Sequence, residues 1–242
     1  MNLFVFPDRG DLMRAAAERV TAHAARAIAE RGRFDWALAG GKTPEELYRL
    51  LAGAPYAARI DWTAVHFFWS DERCVPPDHA DSNYRMARES LLDHVRPPEA
   101  HVHRLQGELP PLLEATRYEA ELGAVSARAG SSLVPRLDLI LLGMGSDGHT
   151  ASLFPGAVAV SERKRWVTAT RIEGREVARL TFTLPLINAA ASVLFLVAGA
   201  DKAPMLARIA AEDPREPLPA QLVRPTAGEI EWLVDADAAA LL

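Results

Sequence analysis

Residues 137–156 read LDLILLGMGSDGHTASLFPG. A largely apolar run, 137–142, breaks into a turn holding Gly143, Gly145 and Gly148, followed by His149 and, soon after, Pro155. A run of this kind predicts a strand buried on both faces, as in a parallel sheet. The G-x-G-x-x-G spacing after a strand is also that of a dinucleotide-binding loop, so the surrounding chain has to decide. Such a loop needs an acid about 20 residues on, at the tip of the next strand, to hold the ribose. Here the next strand ends on basic Arg171 with Glu173 beyond it, and Pro155 stops any helix after about one turn. The dinucleotide reading fails. Asp147 and His149, either side of Gly148, read instead as a hydrogen-bonded acid–imidazole pair.

Outward from this stretch, short apolar runs alternate with helical patterns. Strands are predicted at 3–6, 35–39, 64–69, 101–104, 137–142, 166–170, 179–183, 193–198 and 230–234. Helices are predicted near 11–31, 44–52, 82–92, 111–128, 185–191 and 202–211. This alternation implies an α/β fold, a mainly parallel central sheet with helices on both faces. Prolines cluster at 76–77, 97–98, 110–111 and 214–219, but none of these stretches is long or polar enough for a linker. Residues 1–242 therefore read as a single domain.

The chain has 242 residues, enough for a sizeable core. Its one cysteine, Cys74, leaves no internal disulfide and points to a reducing, cytoplasmic setting. No apolar stretch approaches the ~20 residues of a membrane span. The net charge of −5 argues against nucleic acid as a partner. It does not exclude a small anion, because a single cation ~4 Å from a phosphate is worth about 4 kcal/mol at an effective dielectric of 20.

In open α/β sheets, ligands bind at the carboxyl ends of the strands. Four such ends carry reactive chemistry: GGKTP (40–44), SDER (70–73), GMGSDGHT (143–150) and GADK (199–202). Thr43 is expected to be an N-cap, with Pro44 at the first helical position and Glu46 completing a capping box. On that view GGKTP is a plain helix start. Alternatively, Gly40, Gly41, Lys42 and Thr43 bring backbone N–H groups to a phosphate. Asp71, Glu72 and Arg73 in isolation would be a solvated turn, and their place beside the other loops favours a site. Cys74 reads as a small packed residue rather than a nucleophile. Arg179, opening a strand, and Lys202, opening a helix, are surface charges if isolated and a phosphate clamp if brought together. His101 and His103 share a strand face but lack a third ligand at recognisable spacing, so no metal is expected.

Taken together, the segments ALAGGKTP, FFWSDERCVP with DSNYRMA, HRLQGE, LILLGMGSDGHTASLFPG, RLTFTLPLIN, VAGADKAPML and QLVRP resemble the 6-phosphogluconolactonase family, in order and over most of the chain. The resemblance implies a Rossmann-like three-layer α/β sandwich shared with the glucosamine-6-phosphate deaminases. It also implies hydrolysis of 6-phosphogluconolactone without a cofactor. Deaminases carry a further glutamate after Asp-Gly-His, where this chain reads TASLFPG with no acid. His149 is then the expected general base, since a free imidazole titrates near 6.5. Asp147 orients it, and Asp71 assists it or binds sugar hydroxyls. The substrate's phosphate falls to Gly40, Gly41, Lys42, Thr43, Arg179 and Lys202, with Arg73 nearby. Ser152 lacks a nucleophile elbow and is not favoured as a nucleophile. The partner expected is a sugar phosphate lactone, with no nucleic acid and no membrane, and the oligomeric state is left open, a monomer included. Two alternatives are an amino-sugar-phosphate deaminase and a non-catalytic sugar-phosphate sensor.

Overall fold

The computed structural model describes residues 1–128, 134–171, 174, 176–211 and 217–242. Glu173, weighed above as a ribose acid, and Pro214 lie outside the described residues. The chain opens with β1 (Leu3–Phe6), α1 (Arg9–Arg31), β2 (Phe34–Leu38), α2 (Lys42–Ala52), β3 (Val65–Trp69) and the short β4 (Asp71–Arg73). Next come α3 (Asn83–Ala87), a π-turn over Arg88–Leu92, the single-turn α4 (Asp93–Val95), α5 (Pro111–Arg128) and β5 (Leu139–Leu142). The remainder is β6 (Val167–Thr170), β7 (Arg179–Phe182), α6 (Leu184–Ile187), β8 (Ser192–Val197), α7 (Ala203–Ala210) and β9 (Glu229–Asp235).

The expected mainly parallel sheet is present, with six strands in the order β1-β9-β8-β5-β2-β3, all pairs parallel. Every residue of β2, β5 and β8 is buried, which is why these strands read as near-continuous apolar runs. Helix α1 packs on α2 and against β1, β2 and β9. Asp8 starts it by accepting from Asp11 N at 2.8 Å, and Gly32 ends it in the left-handed region at φ 72. After β2 the strand order runs one way to β3 and the other way to β5, β8 and β9. The loops after β2 and β5 therefore diverge from a switch point, where a crevice opens.

Three expectations need correction. The strands at 166–170 and 179–183 do not join the main sheet. They pair antiparallel, and with Asp71–Arg73 form a separate three-stranded sheet ordered β4-β7-β6. The link between Thr170 and Arg179 is too short for a parallel crossover, which takes about a dozen residues or more. Residues 101–104 are not a strand. A 3-10 turn at Glu99–His101 leads into one isolated bridge, Val102 with Phe67, and the histidines stack on His66 instead, 3.8 Å between ring centroids for His101. Thr43 does not cap α2. The N-cap is Gly41, and Arg9 takes Glu46 at 2.6 Å and Thr43 Oγ1 at 3.3 Å, which draws both members of the expected capping box away.

Candidate active site

Because β2, β3, β5 and β8 are parallel neighbours, their carboxyl ends emerge on one edge of the sheet. There the loops enclose a cavity of about 290 Å³. Gly40, Gly41, Asp71, Arg73, His149, Arg179 and Lys202 all line it. Asp147 stands behind His149, bonded to its ring. Lys42 and Thr43 do not line the cavity, because α2 turns them outward and Arg9 engages the Thr43 hydroxyl. Larger cavities lie elsewhere, and several of their arginines are held by carboxylates. Arg104 pairs with Glu108 and Arg117 with Glu114 and Glu121 in one, and Arg31 with Asp138 and Arg33 with Asp35 in the other.

The loop after β5 is a tight turn and not a helix start. Gly145 N donates to His149 O at 2.9 Å, Gly148 N to Gly145 O at 3.0 Å, and Thr150 Oγ1 to Gly143 O at 2.8 Å. Gly148 sits at φ 79, and a Cβ on Gly145 would lie 2.0 Å from His149 Nδ1, so only glycine lets the ring in. Asp147 Oδ1 accepts from His149 N at 3.0 Å and from His149 Nδ1 at 2.5 Å. A carboxylate only accepts, so Nδ1 carries the proton and the lone pair is on Nε2, the nitrogen a base uses. Burial works to raise the Asp147 carboxyl, but the His149 backbone N–H and ring outweigh it and hold it below the usual carboxylate range.

Asp71 is buried at the foot of the cavity. Its Oδ2 accepts from Ser152 Oγ at 2.7 Å and its Oδ1 from Asn83 Nδ2 at 3.1 Å. Ser152 is fully buried with its hydroxyl committed to Asp71, which suits a scaffold residue and not a nucleophile. Glu72 points away and accepts from the backbone N–H groups of Arg73, Asn83 and Tyr84 at 2.7, 2.8 and 2.8 Å, tying the start of α3 to β4. Burial pushes its carboxyl up despite those bonds. Burial likewise pushes the Cys74 thiol up to about 11, as expected of a packed residue.

Arg73 and Arg179 are direct cross-strand partners in the β4–β7 pair. Like charges in that position oppose pairing, and an anion between them reverses the sign. Arg73 Nη1 donates to Asp81 O at 2.6 Å, while its buried Nε has no hydrogen-bond partner among the described residues. Lys202, beside Asp201 at 2.9 Å, stands on another wall. The N-terminus of α2 has no side-chain cap and reaches the cavity through Gly40 and Gly41. The cavity thus gathers three cations and the end of α2 with the imidazole of His149.

Among the cavity residues that sequence reasoning did not single out are Asn83 and Phe154. Asn83 is buried against Gly40, where a Cβ would fall 2.0 Å from its Oδ1, and it lies in a polar stretch that carries no catalytic pattern. Phe154 stacks on His149 with 4.1 Å between centroids, and an apolar residue carries no catalytic pattern in a sequence. Among the described residues no three metal-binding side chains come together, and no helix is long and apolar enough to cross a membrane.

The glucosamine-6-phosphate isomerase/6-phosphogluconolactonase family matches residues 7–232. The chain is 42% identical to a 6-phosphogluconolactonase of Nostoc sp., covering 98% of this chain and 97% of that one. It is 46% identical to a 6-phosphogluconolactonase of Synechocystis sp., over 94% of this chain and 92% of that one. The solved 6-phosphogluconolactonase of Trypanosoma cruzi superposes with a TM-score of 0.88 at 30% identity, covering 100% of this chain and 96% of that one. A monomeric glucosamine-6-phosphate deaminase shares the fold, at TM-score 0.82 and 22% identity over 100% of both chains. Similarity on this scale places the protein by descent as well as by shape: the chain belongs to the glucosamine-6-phosphate isomerase/6-phosphogluconolactonase family.

Proposed function

We propose that this protein hydrolyses 6-phospho-D-glucono-1,5-lactone to 6-phosphogluconate, with His149 activating the attacking water. The observation that carries the mechanism is the Asp147–His149 pair on one wall of a cavity whose other walls hold Arg73, Arg179 and Lys202. The cations grip the phosphate and so place the lactone carbonyl near Nε2. Water adds to that carbonyl as Nε2 takes its proton, and Asp147 stabilises the imidazolium. The tetrahedral oxyanion then collapses, the ring oxygen leaves, and His149 returns the proton to it. Asp71, held by Ser152 and Asn83, is placed to bind sugar hydroxyls or assist the base.

A positioned base contributes about 10²–10⁴-fold, a suitable demand for an activated ester. The reading includes no cofactor or metal, a cytoplasmic location, and residues 1–242 working as one domain. It is tested by turnover of freshly generated lactone in excess chelator, wild type beside His149→Ala. A wild-type rate well above spontaneous hydrolysis, lost in the variant, supports reaction, base and metal independence together. No excess rate in wild type overturns the lactonase reading, and ammonia release from glucosamine 6-phosphate would put the deaminase in its place.

A further inference from the structure

Asp147 alone does not fix the imidazole. Both of its contacts to His149, the backbone N–H and Nδ1, converge on a single oxygen, Oδ1. The ring is tethered covalently at Cγ and hydrogen-bonded at the adjacent Nδ1, so it can still tilt about the line through those two atoms, and such a swing carries Nε2 out of line with the attacking water. Two further contacts bear on the ring. Gly145 abuts it at Nδ1 and Cε1, and the phenyl ring of Phe154 lies over it at 4.1 Å with 25° between the planes.

We propose that Phe154 is a positioning residue: its stacked ring removes the swing that Asp147 leaves and holds Nε2 of His149 in line with the cavity. This rests on the reading of His149 as the base.

The turn that presents Phe154 is built for rigidity. Leu153 is fully buried and its N–H donates to Thr150 O at 2.9 Å. Ser152 is pinned through its hydroxyl to Asp71 and through its N–H to Thr181 Oγ1 at 3.1 Å. Ala151 adopts the left-handed region at φ 48, a conformation that only such anchoring holds for a non-glycine residue. The chain then turns at Phe154 O, which accepts from Ala157 N at 3.0 Å. The same segment therefore anchors Asp71 from one residue and clamps His149 from another. This accounts for a buried serine in the active site that does no bond-making chemistry.

The test compares Phe154→Leu and Phe154→Met, which keep apolar bulk without a flat face, with Phe154→Tyr, which keeps the ring. His149→Ala is the control, and all are assayed for lactone hydrolysis with thermal melting in parallel. Misplacement of a catalytic group by about 1 Å costs on the order of 10²-fold, and a partly restored ring less. We expect kcat to fall about tenfold in the Leu and Met variants, with KM within about twofold, and the Tyr variant to recover most of the rate. Leu and Met variants with wild-type kcat, or a loss that Tyr does not rescue, overturn the inference. A change confined to KM or to melting temperature overturns it as well. The two readings fail separately: an active His149→Ala protein removes the base, whereas an inactive one beside fully active Phe154 variants removes only the positioning role.

Discussion

Asp147→Asn is the substitution that presses hardest on the acid–imidazole pair. It keeps the shape of the side chain and removes the charge that, in the proposed mechanism, faces the imidazolium. Unit charges ~4 Å apart attract by about 4 kcal/mol at an effective dielectric of 20. The Asp147 side chain is 50% exposed, so solvent screens the pair. Under half of that figure is realistic, about 1.5–2 kcal/mol. At 1.36 kcal/mol per factor of ten, kcat falls about 10- to 30-fold. That is a lower bound, since the asparagine amide can also donate to Nδ1 and leave the proton on Nε2, where it blocks the base.

KM should hold within about twofold, because the residues proposed to clamp the phosphate, Arg73, Arg179 and Lys202, are left unchanged. The assay is steady-state hydrolysis of freshly generated lactone, corrected for the spontaneous rate. A kcat within twofold of wild type, or a loss expressed as raised KM, refutes the reasoning. A second signature lies in stability. A carboxyl held below its ordinary value of about 3.9 contributes stability that is present above that value and lost as pH falls through the lower folded one. Wild type should therefore lose stability below about pH 4 more steeply than Asp147→Asn, as read by denaturant melts across that range.

Two further outcomes follow from the same geometry. Arg179→Met removes one side of the cross-strand arginine pair, and a charged hydrogen bond is worth about 1.5–3 kcal/mol. KM should rise about 10- to 100-fold with kcat little changed, and inorganic phosphate should raise the melting temperature of wild type but not of the variant; unchanged KM would place the phosphate elsewhere. Ser152→Ala strips a donor from the buried Asp71 carboxylate and should cost about 1–3 kcal/mol of stability while leaving substantial turnover. A folded but inactive Ser152→Ala protein, together with an acyl-enzyme burst in wild type, would make Ser152 the nucleophile and refute this account.

The features readable from the chain were mostly local. Buried strands announced themselves as apolar runs because both faces of β2, β5 and β8 are covered, and glycines marked turns that need positive φ or close approach. The Asp147–His149 pair was legible because its partners are two residues apart on one turn. Contacts between distant segments were not. The capping box at Thr43 failed because Arg9, 34 residues away, takes both its members. The small antiparallel sheet was missed because β4 is three residues of charged sequence whose partner lies across the chain. Asn83 and Phe154 have types that carry no chemical signal until the fold sets them against Gly40 and His149, and Ser152 gains its partner only when the fold brings it to Asp71. Strand order decided the rest. Nothing in the spacing of four loops says that their strands are neighbours, and the parallel register of β8, β5, β2 and β3 brings His149, Arg73 and Lys202 to one edge, where β7 of the small sheet adds Arg179, because loop closure is indifferent to which strand lies next to which until the core packs.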